Sequence, residues 1–167
     1  MSVKDIIAQL DLLPHPEGGY YRENYRSDEQ IRVHDRYGEG ATRAYSTGIY
    51  YLLGAQDYSA WHQVQSDEMW HHYAGHPVKI MMLDPKTKHY AETVVGSVLD
   101  GHQPQCVVKR GTWFAAHVLH EGDDNAFALS GCTVAPGFDF ADFTLAKGDV
   151  LCTEFPEHQA VIQRYAS

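Results

Sequence analysis

This chain has few basic residues, few cysteines and no long apolar run. Thirteen Lys and Arg stand against 22 Asp and Glu, giving a formal net charge of −9. No run of Lys or Arg forms a stripe. Nucleic-acid binding depends on basic groups that neutralise phosphates, so the composition argues against that partner and against an anionic membrane surface. No segment approaches the apolar length of a membrane helix. The N-terminus, M-S-V-K-D-I-I-A-Q-L, carries acid early and lacks the apolar core of a signal peptide, which predicts a cytoplasmic protein. Cys106, Cys132 and Cys152 are odd in number, widely spaced and without metal-like spacing. They read as reduced thiols, small buried residues rather than nucleophiles. A G-x-S-x-G elbow and a phosphate-binding P-loop are also missing, and Gly18-Gly19 lacks the spacing of a dinucleotide fingerprint.

What is present fits one domain over residues 1–167, with 44% hydrophobic residues, enough to bury a core. Ser2 is placed to cap a first helix, with Asp5 three residues on, and Val3, Ile6, Ile7 and Leu10 share one helical face. Pro14 and Pro16 then break the chain. Residues 19–27 read as a strand, and the polar stretch 28–42 as a long loop. From Tyr45 the character is β, with candidate strands at 46–53, 58–64, 68–74, 78–84, 89–95, 105–109, 113–119 and 126–134. Their short, regular spacing predicts a sandwich or small barrel. Residues 147–153 are open between a helical turn and an edge strand, and Pro156 starts a C-terminal helix.

Trp61 to Gly75, W-H-Q-V-Q-S-D-E-M-W-H-H-Y-A-G, is the densest chemistry in the chain. His62, Glu68, His71 and His72 are the residue types that hold divalent metals and move protons near neutral pH. Strand alternation puts His62 on a face with Tyr58, Ala60 and Val64, and Glu68 on a face with Trp70 and His72. A hairpin around Gln65-Ser66-Asp67 would aim His62 and Glu68 into a barrel, with His72 deeper and His71 outward. His15 and Glu17, in a Pro-bracketed loop, are candidates for the rim of a site. Arg22 and Arg26 alternate with Tyr21 and Tyr25, as an edge-strand face, a dimer contact or an anion clamp. Asp139 and Asp142 alternate with Phe138, Phe140 and Phe143, as caps or as a carboxylate partner for His62. Any of several tyrosines, Tyr45, Tyr50 and Tyr51 among them, could supply a general acid.

These residues resemble a cupin. His62, Glu68 and Gly75 match the first His, the Glu and the closing Gly of the first cupin motif, while Val64 stands where its second His falls. Gly111 fits the second motif, with Phe114 at the usual His position. A narrower resemblance is to the cupin subfamily of unknown function marked by L-x-P-H-P-E-G-G-Y-Y-R-E (Leu12 to Glu23), W-H-x-x-x-S-D-E-x-W (Trp61 to Trp70) and G-C-T-V-A-P-G-F-D-F-x-D-F (Gly131 to Phe143). It implies a mainly β, cupin-type double-stranded β-helix, or jelly-roll barrel, with short N- and C-terminal helices, in a homodimer. More loosely, such barrels resemble deoxysugar-nucleotide epimerases and small-molecule isomerases.

Three functions follow as expectations. The first is an isomerase or epimerase acting on a sugar-like or small carbonyl molecule. In it His62, Glu68 and His72 are catalytic, and His62 is the general base, oriented by Glu68 or an aspartate. Trp70, Phe114, His15, Glu17 and Asp139 bind substrate. The second is a metal-dependent cupin with a divalent ion on His62, Glu68 and His72. The third is a barrel that binds a small ligand without catalysis.

Overall fold

Ser2 begins the fold as its position predicts. Its hydroxyl accepts from the Asp5 N–H, and the Asp5 carboxylate accepts from the Ser2 N–H, a closed capping box on α1 (Val3–Leu10). The computed structural model describes residues 1–167. Strands follow as β1 (Leu13–Pro14), β2 (Tyr20–Arg26), β3 (Gln30–Arg32), β4 (Thr42–Ala44), β5 (Thr47–Gly54), β6 (Tyr58–Gln63), β7 (Asp67–Gly75) and β8 (Val78–Leu83). Then come β9 (Tyr90–Val95), β10 (Gln105–Val108), β11 (Trp113–Val118), β12 (Phe127–Ala135), β13 (Thr144–Leu145), α2 (Gly148–Glu154) and α3 (Gln159–Arg164). Residues 147–153, open in the sequence, are mainly helical. The expected loop over 28–42 contains the β3–β4 hairpin and a 3-10 turn at Asp35–Tyr37. Gln30 to Arg32 is fully exposed, so no apolar alternation marked it as strand. No helix is long and apolar enough to cross a membrane.

Two antiparallel sheets face each other. One has the order β1-β2-β5-β12-β7-β10, the other β13-β6-β11-β8-β9. The non-sequential order is that of a jelly-roll barrel. Between the sheets lies a core of Tyr51, Leu53, Trp70, Ile80, Phe114 and their neighbours. A second cluster packs α2, α3 and Phe155 against Trp61, Met81 and Leu83 on the outer side of the five-stranded sheet. Each fully buried large apolar side chain contributes roughly 1.5–3 kcal/mol.

The expected hairpin of β6 and β7 does not form. His62 on β6 sits opposite Phe114 of β11 and Leu145 of β13. Glu68 on β7 sits opposite Val134 of β12 and Val108 of β10. Residues 64–66 therefore carry the chain from one sheet to the other. His62 and Glu68 still look inward, but from opposing walls. Local sequence did not disclose this, because both strands take their partners from distant segments.

Candidate active site

The site is assembled around the connection from β1 to β2. His15 N–H donates to the Gly19 carbonyl, and Gly18 N–H to the His15 carbonyl, so the P-H-P-E-G-G stretch closes on itself. Its far side is tied to β6, where Ala60 N–H donates to the Glu17 carbonyl at 2.7 Å. Gly18 has φ +110°, and a side chain there would collide with the Tyr58 carbonyl. Gly19, at φ +71°, is pressed between Leu52 and Leu53. Only glycine meets both demands. The Tyr51 hydroxyl completes the clamp by donating to the Gly18 carbonyl at 2.6 Å.

This clamp drives Glu17 into the barrel. Its Oε2 lies 2.7 Å from His62 Nε2, with both side chains more than nine-tenths buried. His62 Nδ1 lies 2.7 Å from the Ala60 carbonyl, which can only accept, so Nδ1 carries a proton. With an oxygen on each ring nitrogen, His62 is an imidazolium. Burial alone would lower its pKa, but the charge and hydrogen bond of Glu17 outweigh burial and raise it. Burial likewise pushes Glu17 up, and the His62 charge brings it below the ordinary carboxylate value.

His15 behaves differently. Its Nδ1 lies 3.7 Å from Glu17 Oε1, within ion-pair range. That nitrogen, however, accepts the Glu17 N–H at 3.1 Å, so it is unprotonated and the ring is neutral. Burial lowers its pKa, in agreement with this reading. The ring proton sits on Nε2, which donates to no protein group.

Glu68 is the third ionisable member. Trp70 Nε1–H donates to its Oε2 at 3.3 Å, while Oε1 accepts no hydrogen bond. Burial and then the nearby Glu17 charge raise its pKa to about 7, against weaker opposition from His62 and the Trp70 bond. Cys132 beside it is raised well above the ordinary thiol value, by burial first and then by the Glu68 and Glu17 charges, so it stays a thiol.

His15, Glu17, His62 and Glu68 line one cavity of about 340 Å³, within the size range of small-molecule sites. Phe138, Phe140 and Phe143 form its aromatic wall, and Tyr21, Glu23, Arg26 and Asp139 also border it. Asp139 Oδ1 accepts from the Ala141 N–H, which caps the short turn carrying these rings. Asp142 is not a proton-transfer partner. Arg43 of β4 donates to both its oxygens, at 2.8 and 2.7 Å, in a buried bidentate pair that ties the β3–β4 arm to the aromatic wall.

Thus His62, Glu68, His15, Glu17 and Asp139 come together, and three expected site residues do not. His72 Nε2 bonds the His76 carbonyl at 3.1 Å and lies outside the cavity lining. It is four residues along β7 from Glu68, roughly 13 Å, with the buried Trp70 between them on the same face. Trp70 sits behind Glu68 and orients it. Phe114, its ring centroid 4.0 Å from that of His62, backs the imidazole from the core. Neither lines the cavity. The carboxylate facing His62 is Glu17, rather than Glu68 or an aspartate. The phenylalanine wall carried a signal, since it stands in a signature motif, and Arg26 lies just beyond another, but alternation alone reads each equally well as a strand face.

A divalent ion on His62, Glu68 and His72 does not fit this geometry. The first has no free nitrogen, the last is remote, and no three His, Cys, Asp or Glu side chains are arranged to hold a metal ion. Val64 and Phe114 occupy the two places where motif histidines would stand.

Two facing sheets closed over a cavity, with a histidine and a glutamate from opposing walls, define a cupin-type barrel. A family model described as "Cupin superfamily (DUF985)" matches residues 4–146, and the chain belongs to that family. The uncharacterized protein YML079W of Saccharomyces cerevisiae is 30% identical over 155 residues, covering 89% of this chain and 77% of the yeast protein. A hypothetical protein from Leishmania major has a similar structure, with a TM-score of 0.89, 32% identity and 99% of each chain covered. Protein SO0799 from Shewanella oneidensis also matches, with a TM-score of 0.85, 32% identity and coverage of 100% of this chain and 98% of that one. Family and cavity together give a cupin-type small-molecule function.

Proposed function

We propose that the cavity is a proton-transfer site of the isomerase or epimerase kind, acting on a small molecule with a C–H beside a carbonyl. The observation that carries this reading is Glu68: a buried carboxyl with one oxygen free towards the cavity and a pKa of about 7. A general acid or base works best when its pKa lies near the ambient pH. Ionised Glu68 takes the proton from carbon; the C–H electron pair forms a C=C bond to the carbonyl carbon as the carbonyl π pair moves onto oxygen. The protonated carboxyl then returns the proton on the same side, to that carbon or to the neighbouring one; inversion at the carbon would need the intermediate to turn over within the cavity. His15 Nε2–H, without a protein partner, supports a hydrogen bond to the developing enolate oxygen.

This assigns His62 a role other than general base. Both its nitrogens are engaged, by Ala60 and by Glu17, so it presents no lone pair to a substrate. It holds Glu17 ionised, and that buried charge in turn helps keep Glu68 protonated up to about neutral pH. His62 and Glu17 are positioning residues in this scheme.

The test is deuterium exchange from solvent into a panel of small carbonyl compounds, followed by proton NMR. Exchange with the native protein and its loss in Glu68→Gln support the proposal. A ligand that binds and returns without exchange turns the reading to a non-catalytic binding barrel.

A further inference from the structure

The cavity has more acid than base, and its bases are already taken. Its wall carries Glu17, Glu23, Glu68 and Asp139 against Arg26 and His62, with His15 neutral. Arg26 Nη2 donates to Glu23 Oε1 at 2.6 Å and to the Phe138 carbonyl at 2.9 Å. His62 is held between Glu17 and Ala60. Neither cation is free for a carboxylate or phosphate, while Asp139 and Glu68 make no direct ion pair; Arg43, outside the lining, acts on Asp139 only through space, as His62 does on Glu68.

A second observation is independent of charge. Phe138, Phe140 and Phe143 meet one another edge to face, with centroids 5.0, 6.2 and 5.9 Å apart and interplanar angles of 84°, 67° and 76°. The His15 ring stands 5.9 Å from Phe143. Packed on one another in this way, the three rings give the cavity one aromatic side, and a ring face turned to the cavity attracts an ammonium group within about 6 Å. A third observation is Glu68 itself, more than nine-tenths buried yet with Oε1 unpartnered.

We infer that the cavity takes a small organic cation, an ammonium-bearing molecule held by the phenylalanine wall and the unpaired carboxylates of Asp139 and Glu68. This deepens the proton-transfer reading and rests on the same cavity. It also separates the protein from barrels that receive anions, which need a free arginine or lysine. An ammonium near the reacting carbon would stabilise the negative charge that forms as the proton leaves, so binding and chemistry would use one feature.

The probes are choline, its neutral carbon isostere 3,3-dimethylbutan-1-ol and the anion 3,3-dimethylbutanoate, titrated by calorimetry above neutral pH where Glu68 is ionised. Choline is expected to bind about tenfold more tightly than the alcohol, the equivalent of about 1.4 kcal/mol, with no saturable binding of the anion. Phe140→Leu, at the exposed mouth, and Asp139→Asn, which keeps the capping oxygen, should each weaken choline by about threefold or more and leave the alcohol unchanged. Equal affinity for choline and the alcohol, preference for the anion, or no saturable choline binding overturns the inference. Because these are binding measurements, choline can bind while deuterium exchange fails, and the two readings then fall separately.

Discussion

Glu17 and His62 form a buried ion pair, Oε2 to Nε2 at 2.7 Å, between a glycine-rich connection and a strand of the opposite sheet. A charge removed from water at such a place is costly unless its partner is present. The pair therefore makes the N-terminal segment part of the site instead of an appendage to it.

Removing one partner should be worse than removing both. His62→Gln leaves Glu17 buried without a counter-charge and should cost about 3–5 kcal/mol, while Glu17→Gln with His62→Gln should recover part of that loss. Chemical denaturation of the three variants is the measurement. In the native protein the Glu17 contribution is present above the unfolded carboxylate value of 4.5 and is lost as pH falls through its lowered native pKa. The His62 contribution is present below 6.5 and is lost as pH rises through its raised native pKa.

Glu68 has the opposite sign to Glu17 and the same sign as His62. Its native pKa, about 7, exceeds the unfolded 4.5, so the folded protein binds this proton more tightly. Stability should fall as pH rises across that window and level off above it. Glu68→Gln should flatten this slope and stabilise the protein above neutrality by about 2–3 kcal/mol. Carbon-13 NMR of the carboxyl, following Glu68 against Glu17, His62 and Cys132 around it, reads the titration directly; a midpoint near 4.5 would remove the basis of its proposed role.

Gly18→Ala is expected to displace the Glu17 connection. The position combines φ +110° with contact against the Tyr58 carbonyl, so an added methyl must move backbone. A loss of about 2 kcal/mol or more is expected. A broken Glu17–His62 pair should show as a lowered His62 pKa by NMR. Gly122→Ala is the control, since it shares a positive φ of 88° but has open space around it.

Arg43→Met should strand Asp142 with its charge buried and cost about 3–5 kcal/mol in thermal or chemical unfolding. The β3–β4 arm and the aromatic wall share this pair, so ligand binding should weaken although Arg43 does not touch the cavity. The double variant Arg43→Met with Asp142→Leu tests whether charge or shape is needed. Recovery of stability in it assigns the cost to the unpaired carboxylate.

Protein purified without a chelator or histidine tag should carry well under one divalent metal per chain by elemental analysis. Near-stoichiometric metal, lost in His62→Ala, would show that the Glu17–His62 pair opens to accept an ion.

Much of this protein is determined locally. Ser2 and Asp5 specify the first cap, and period-two alternation marks nearly every long strand to within a residue or two. Pro16 with Gly18-Gly19 marks a special connection, and the signature around His62 and Glu68 marks the barrel family. Those features depend on neighbours a few residues apart, within reach of periodicity and turn chemistry. Tertiary structure decided the rest. It put β6 and β7 in opposite sheets, chose Glu17 over Glu68 as the partner of His62, left His72 behind Trp70, and used Asp142 to hold Arg43. Each of these is a choice among carboxylates, imidazoles and cations that are chemically equivalent along the chain. Burial and the pairing of distant strands set the distances between them, and at 2.7 Å or roughly 13 Å the same residue types do different things.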